Sequence, residues 1–241
     1  YITYGDHDLT ENIIHLVLAR LPGAPEGTKG ISLFAVPKFL VKDDGSIGER
    51  NEVHCLSLEE KLGIHASPTA VMSYGEDKGA VGYLVGEENR GLMHMFTMMN
   101  NARHAVGREG LAISESAYQL ALQYAMERKQ GNVIGTATQA TIVEHSDVKR
   151  MLMRMKALTE AMRGLTYTCA YAFDVAERAT DEQECSRASR RGDLLTPVVK
   201  GWCTDNAQIV ASLGVQIHGG MGFVEETGAA QYMRDVRILP I

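Results

Sequence analysis

The sequence predicts an α+β protein, with a partial antiparallel β-domain over residues 1–88 followed by an all-α, up-down four-helix bundle over residues 89–241. Two observations predict this division. In the first part, turns rich in glycine and proline separate short runs of β-branched and aromatic residues. In the second part, Leu, Met and Ala recur at helical spacing through long stretches without proline.

The predicted strands lie in the runs YITY, IIHLVLARL, ISLFAVP, TAVMSYG and GYLVG. The turns between them are LPGAPEGTKG, DDGSIG and YGEDKGAVG, which carry the glycine and proline that turns require. A sheet of this size leaves open edges, and open edges usually pair with or pack against a neighbour. We therefore expect the β-rich part to be incomplete by itself.

Four helices are predicted after the strands. The first two cover residues 90–129 and 139–179, and the third runs from about Leu194 to Leu213 after a polar break, TDEQECSRASRRGD. A shorter fourth helix covers about Glu225 to Arg234. The second helix carries one apolar stripe, formed by Val148, Met151, Leu152, Met155, Leu158, Met162 and Leu165.

Composition excludes several classes of protein. The 241 residues carry a net charge of −6, which argues against a protein that grips nucleic acid. No apolar run reaches the roughly 20 residues that a membrane-spanning helix needs, and the start has no signal-peptide pattern. The four cysteines are far apart, so neither a zinc site nor a disulfide framework is predicted. We expect a cytoplasmic protein with reduced thiols and no bound metal.

One segment that could bind a ligand is GVQIHGGMGF, residues 214–223. Its four glycines allow the backbone to approach a ligand closely and to expose successive N–H groups to a phosphate or an adenosine edge. The alternative is a tight connection between two helices. The spacing is not that of a dinucleotide-binding fingerprint, and His218 alone, without further ligands, does not indicate a metal.

A second segment is MMNNARHAVGREG, residues 98–110. Its polar side chains could form a solvated stripe. Arg103, however, lies one helical turn from Met99 and Gly107, on a narrow apolar face where a cation favours an anionic ligand. A third segment, KLGIHASPTA, contains His65 in a turn between strands, and no serine, histidine and acid constellation accompanies it.

Taken together, these motifs resemble the flavin-dependent acyl-CoA dehydrogenases. YITYGD, KLGIHASPTA, VGEENRGLMHMFTMMNNAR, YAMERKQG, VQIHGGMGF and YMRDVRILPI follow the order and approximate spacing of that family over essentially the whole chain. DHDLTENI, IHASPT and LLTPVVKGW are most similar to the bacterial subgroup that includes 3-methylmercaptopropionyl-CoA dehydrogenases. The resemblance implies the second half of a middle β-domain over residues 1–88, followed by most of a C-terminal bundle.

The resemblance also implies roles for individual residues. FAD contacts are expected at Tyr1, Ile2, Thr3, Arg128, Gln216, Gly219 and Gly220, and acyl-CoA contacts at Asn100 and Arg103. Tyr1 stands where the family has tryptophan, which keeps a planar face but loses the indole N–H. The family often has a phenylalanine shortly after the arginine that matches Arg128, whereas this chain has Gln130, Gly131 and a longer loop.

The family removes the α-proton of an acyl thioester with a carboxylate while FAD accepts a hydride from the β-carbon. In most members the base is a glutamate directly after a segment similar to RDVRILPI, so the base is expected just after Ile241. Ala102 occupies the alternative position of the base. Glu225 and Glu226 are expected to start a helix and to have a structural role there, because carboxylates favour the positive end of a helix. The 241 residues alone are therefore predicted to be inactive.

The expected partners are an acyl-CoA substrate, an electron-transfer flavoprotein and a second copy of the chain. A homodimer or homotetramer is expected because Arg128 and the segment around Gln216 resemble residues that complete a neighbour's cofactor site. Two alternatives remain open at the level of sequence. One is a helical interaction or oligomerisation module without flavin, and the other is an acyl-CoA oxidase relative.

Overall fold

The computed structural model describes residues 1–135 and 137–241. The chain divides into two compact units, residues 1–99 and residues 100–241. Within the described residues the elements are small antiparallel sheets and four α-helices, so the predicted α+β class with a helical bundle is confirmed. Each unit is described separately below.

The first unit is built from short antiparallel strands. Its eight described strands are β1 (Ile2–Thr3), β2 (Ile14–Arg20), β3 (Ile31–Pro37), β4 (Phe39–Val41), β5 (Ile47–Arg50), β6 (Val53–Leu58), β7 (Thr69–Tyr74) and β8 (Tyr83–Val85). One sheet has the order β1-β7-β6, a second has the order β2-β3-β8, and β4 pairs with β5. Val53, Leu33 and Ala70 are buried between these strands.

All five predicted strands are present, and three further strands were not predicted. β4, β5 and β6 have few buried side chains: β5 has the sequence IGER, and only Val53 of β6 is buried. Their apolar alternation is therefore weak. The β4–β5 pair is set by the predicted DDGSIG turn, where Gly45 adopts a φ of 81° that only glycine adopts without strain.

Asn51 is a buried polar hub of the first unit, with 4% of its surface exposed. Its side-chain amide donates to the carbonyls of Pro37 at 2.8 Å and Val81 at 2.9 Å. Its Oδ1 accepts from the backbone N–H groups of Val81 at 2.9 Å and Glu52 at 3.0 Å. One side chain therefore satisfies backbone groups of three separate segments.

We expect Asn51→Ala to lower the free energy of unfolding by about 2 kcal/mol, because it leaves buried backbone groups without partners. Urea denaturation followed by circular dichroism measures the change. The matched control is Asn101→Ala at an exposed helical position, where the change is expected to stay within about 0.5 kcal/mol. Equal unfolding midpoints for the two variants would contradict the role assigned to Asn51.

The second unit is helical apart from one hairpin. Helix α1 (Gly91–Glu127) begins in the first unit and continues through the second. It is followed by the hairpin strands β9 (Lys129–Asn132) and β10 (Gln139–Thr141), and then by helices α2 (Ser146–Arg178), α3 (Glu182–His218) and α4 (Ala229–Val236). Met155, Met162, Cys169, Val199, Cys203, Ala207 and Val210 form the centre of the bundle core, each 0% exposed.

The stripe predicted on the second helix faces this core. Met151, Leu152, Met155 and Met162 are buried, and Val148, Leu158 and Leu165 pack against them as partly buried residues.

Helices α1 and α3 approach each other closely at Gly107. A Cβ atom added to Gly107 would lie 2.5 Å from Val199 Cγ1 and 2.9 Å from the Val199 carbonyl oxygen. One helical turn further, a Cβ on Gly110 would lie 3.3 Å from the carbonyl oxygen of Cys203. Glycine is therefore required by packing at this crossing, and in particular at Gly107.

The predicted start and end of the third helix were wrong. The polar segment TDEQECSRASRRGD is helical from Glu182, because Asp181 caps the helix by accepting from the Gln183 N–H at 3.1 Å. Its charged residues are largely exposed, so they give no apolar periodicity, although Glu, Gln and Arg favour helices. The helix also extends to His218, which places Gln216 on a helix and not in a loop.

Two other helix boundaries also differ from the prediction. The second helix begins at Ser146 and not at residue 139, because residues 139–144 form β10 and a 3₁₀ turn. The fourth helix begins at Ala229 and not at Glu225. Glu225 and Glu226 lie in a preceding 3₁₀ turn, and Gly228 separates this turn from the helix with a φ of 79°.

Candidate functional site

Arg128 lies immediately after α1, where it joins the helix to the hairpin. Its backbone N–H donates to the Tyr124 carbonyl at 2.9 Å, and its carbonyl accepts from the Ile142 N–H at 2.8 Å. The backbone is thus fixed on both sides. The Arg128 side chain is exposed and has no ion pair or hydrogen bond with any residue in the described ranges 1–135 and 137–241. Its guanidinium group is available to an anion.

The glycine-rich segment forms the end of α3 and a short 3₁₀ turn, Gly219–Phe223, which we call the glycine turn. Gly219 has a φ of 59° and donates its N–H to the Gln216 carbonyl. A Cβ added to Gly219 or Gly220 would meet nothing within 4 Å, whereas one on Gly222 would lie 2.3 Å from the Val215 carbonyl oxygen. Packing requires Gly222, and Gly219 and Gly220 leave an open backbone surface.

A stacked pair of rings brings Arg128 and the glycine turn to the same end of the bundle. The rings of Tyr124 and His218 have centroids 4.4 Å apart and an interplanar angle of 29°. Tyr124 lies one helical turn before Arg128, and His218 directly precedes Gly219. His218 is buried, and its Nδ1–H donates to the Gly214 carbonyl at 2.7 Å. His218 is thus a packing residue that fixes the helix end.

Asn100 and Arg103 lie on the same side of α1, as predicted. Arg103 Nη1 donates to Asn100 Oδ1 at 3.4 Å. The adjacent His104 anchors this part of α1, because its Nε2–H donates to the Thr166 carbonyl on α2 at 3.1 Å. Asn100 and Arg103 present an amide and a guanidinium together, which suits an acceptor-rich ligand.

The other predicted cofactor residues lie at the start of the first unit. Ile2 and Thr3 form β1, opposite Ala70 and Thr69 of β7, and the Tyr1 side chain is 84% exposed. Tyr4 follows with a φ of 54°, an unusual backbone conformation for tyrosine. Its hydroxyl donates to the Ala66 carbonyl at 2.8 Å. The short strand is thus followed by a sharp, fixed change of direction.

Of the two carboxylates considered in the sequence, Glu225 has a structural partner. Glu225 accepts from Arg234 through both oxygens, at 2.5 and 2.8 Å. This bidentate pair ties the 3₁₀ turn to α4. Position 102, the alternative place for a base, holds the apolar side chain of Ala102.

Other types of site find no support in the described parts of the chain. No group of three or more His, Cys, Asp or Glu side chains there could hold a metal ion. The four cysteines are free, and burial raises the pKa of the Cys203 thiol to about 11. No helix among these residues is long and apolar enough to cross a membrane.

The family model that matches this chain is "Acyl-CoA dehydrogenase, C-terminal domain", over residues 89–241. The chain therefore belongs to the acyl-CoA dehydrogenase family, and the resemblance drawn from the sequence is confirmed.

Among the curated relatives, 3-methylmercaptopropionyl-CoA dehydrogenase of Ruegeria pomeroyi is 56% identical and aligns with 100% of this chain and 41% of its own length. The chain spans about two fifths of the length of this and other curated relatives that it matches.

Two solved structures share the fold. ACDH-11 of Caenorhabditis elegans, solved in complex with C11-CoA, has a TM-score of 0.78 and 25% identity over 95% of this chain and 36% of that chain. An acyl-CoA dehydrogenase of Bacillus anthracis complexed with FAD has a TM-score of 0.76 and 23% identity, over 95% of this chain and 36% of that chain. The second likeness shows the fold alone.

Proposed function

We propose that the protein carrying this chain oxidises acyl-CoA thioesters to 2,3-enoyl-CoA with FAD as hydride acceptor. The observation that carries the proposal is that the exposed Arg128 guanidinium and the open glycine turn lie at the same end of the bundle. Membership of the acyl-CoA dehydrogenase family supports the reaction class. The 56% identity to the Ruegeria pomeroyi enzyme supports 3-methylmercaptopropionyl-CoA as the first substrate to test.

The residues at this end of the bundle fit the chemistry of FAD. The pyrophosphate of FAD is anionic, and Arg128 offers a planar fork of donors without a competing carboxylate in the described residues. Gln216 is exposed on the last turn of α3, beside the open backbone of Gly219 and Gly220. In this proposal they contact the adenosine half of an FAD whose flavin ring lies against Tyr1, Ile2 and Thr3 of a neighbouring copy.

FAD, when bound, supplies the acceptor for the hydride that leaves the β-carbon. Asn100 and Arg103 are proposed to orient the acyl-CoA through their amide and guanidinium groups. Ala102 has no group that accepts a proton, and Glu225 is already paired with Arg234. We place the base, by resemblance to the family, on a glutamate after Ile241, and we expect the 241 residues alone not to turn over substrate.

The family also supports a proposal about partners. We expect an electron-transfer flavoprotein to reoxidise the flavin, and a homodimer or homotetramer in which Arg128 and the glycine turn complete a neighbour's site. We expect the protein to act in the cytoplasm.

Anaerobic absorption spectroscopy of the full-length protein tests this function. We expect a flavin band in the visible spectrum that bleaches on addition of 3-methylmercaptopropionyl-CoA or butyryl-CoA, because hydride transfer reduces the flavin. Substitution of the proposed glutamate by glutamine should abolish the bleaching and leave the flavin bound.

Three other results would point elsewhere. A protein that stays colourless after incubation with FAD would contradict the proposal and favour a helical interaction module. A flavin that does not bleach with any acyl-CoA would contradict the reaction. Rapid reoxidation of the reduced flavin by oxygen would favour an oxidase.

A further inference from the structure

Strand β1 carries two of the three residues proposed to lie against the flavin ring, yet its own pairing is slight. It consists of two residues: Ile2 pairs with Ala70 of β7, and Thr3 pairs with Thr69. A two-residue strand gains little from so few backbone bonds. The residues that follow, Tyr4 to Asp6, make further contacts that hold this segment.

The residue that fixes this segment is His15 on β2. It is 5% exposed, and its Nε2 lies 2.7 Å from the carbonyl oxygen of Gly5. Its Nδ1 lies 2.8 Å from the hydroxyl oxygen of Tyr74, at the end of β7. His15 thus links the sheet that contains β2 to the sheet that contains β1 and β7.

Only one neutral tautomer of His15 satisfies both contacts. The Gly5 carbonyl can only accept, so Nε2 carries the proton and donates, and Nδ1 accepts from the Tyr74 hydroxyl. Burial lowers the pKa of His15, which favours this neutral ring, although the bond to Gly5 opposes the shift. Burial also raises the pKa of Tyr74 to about 12, so its hydroxyl remains a donor.

The neighbours of Gly5 are held as well. Asp6 accepts from Lys38 Nζ at 2.5 Å, and Tyr4 donates its N–H to the Pro68 carbonyl at 2.9 Å. A Cβ on Gly5 would lie 2.8 Å from Met72 Sδ, so the backbone here packs directly on β7. These contacts hold residues 4–6 from different sides, and the bond from His15 is the one that reaches the carbonyl of Gly5 at their centre.

We propose that His15, oriented by Tyr74, is a positioning residue that sets the place of Ile2 and Thr3 against the flavin ring. The inference rests on the proposed function, since it assigns a purpose to residues that contact FAD. His15 does not touch the cofactor in this account. It acts through the Gly5 carbonyl, two residues after Thr3.

The test uses the full-length flavoprotein and three variants. His15→Leu removes both hydrogen bonds, Tyr74→Phe removes only the hydroxyl that orients the ring, and His15→Gln keeps a donor that can reach the Gly5 carbonyl. Asn51→Ala is the matched control, because it destabilises the same unit through bonds to Pro37, Val81 and Glu52. The readouts are the visible absorption spectrum of the bound flavin and the dissociation constant of FAD.

We expect His15→Leu to shift the flavin absorption maximum and to raise the dissociation constant of FAD about tenfold or more, as when a supporting residue of a bound group is lost. Tyr74→Phe should produce the same spectral shift with a smaller loss of affinity. His15→Gln should restore most of the wild-type spectrum. Asn51→Ala should lower the unfolding midpoint and leave the spectrum unchanged.

The outcomes distinguish failure of the positioning role of His15 from failure of the proposed function. A wild-type protein without flavin overturns both. A wild-type flavoprotein whose His15→Leu variant has the same spectrum and affinity overturns only the positioning role. If His15→Leu does not fold, Tyr74→Phe and His15→Gln decide the question. A spectral shift in Asn51→Ala equal to that in Tyr74→Phe would reduce the effect to general stability and overturn the inference.

Discussion

Gly107→Ala is expected to lower the free energy of unfolding by about 3 kcal/mol, as measured by urea denaturation. The added methyl group would lie 2.5 Å from Val199 Cγ1 and 2.9 Å from a backbone oxygen of α3. Val199 is 0% exposed, and the second of these contacts is with a backbone oxygen, which cannot rotate away. The helices must separate, and overpacking of this kind costs about 1–3 kcal/mol or more.

The bundle supplies matched controls for this substitution. Gly164 on α2 and Gly201 on α3 are also helical, and a Cβ at either would meet nothing within 4 Å. Alanine there is expected to raise the free energy of unfolding by about 0.5–1 kcal/mol, because it favours the helix over the unfolded chain. A Gly107→Ala variant as stable as these two would contradict the close crossing of α1 and α3.

Arg128→Ala is expected to raise the dissociation constant of FAD about 100-fold, or about 2.7 kcal/mol. The reason is the loss of charge-assisted hydrogen bonds to the pyrophosphate, each of which contributes about 1.5–3 kcal/mol. Titration of the flavin-free full-length protein with FAD, followed by flavin fluorescence, measures the constant. Arg128→Lys should retain part of the affinity, because an ammonium keeps the charge without the planar fork.

Arg150→Ala is the control for Arg128→Ala. Arg150 is exposed like Arg128, but it pairs with Asp147 at 2.7 Å on the first turn of α2. Its loss should leave FAD affinity within about twofold, because Arg150 is not among the residues proposed to contact FAD and its guanidinium already pairs with a carboxylate. Equal effects of the two substitutions would show that general charge, and not the position of Arg128, governs FAD affinity.

Parts of this fold were predictable because their sequences carry strong local signals. β2 and β3 are rich in Val, Ile, Leu and Phe between turns, and their ends were predicted to within a residue. The apolar stripe of α2 faces the core as its helical period predicts. The β9–β10 hairpin was missed because its strands KQGN and QAT have almost no buried apolar side chains.

The candidate site was predictable only in part. Arg128 was singled out only by its resemblance to a family motif, whereas the four glycines of residues 214–223 also marked that segment by composition. The stack of Tyr124 on His218 brings together two residues that are 94 positions apart in the sequence. The hydrogen bonds from His15 to Gly5 and Tyr74 join two sheets. No local pattern records such contacts, because they depend on tertiary packing.

The most direct test of the account is a crystal structure of the full-length protein with FAD bound. We expect the FAD pyrophosphate within hydrogen-bond distance of the Arg128 guanidinium of one copy, with the adenosine half against Gln216, Gly219 and Gly220 of that copy. We further expect the flavin ring to lie against Ile2 and Thr3 of the neighbouring copy. Density for FAD elsewhere, with Arg128 and the glycine turn both left in solvent, would contradict the account.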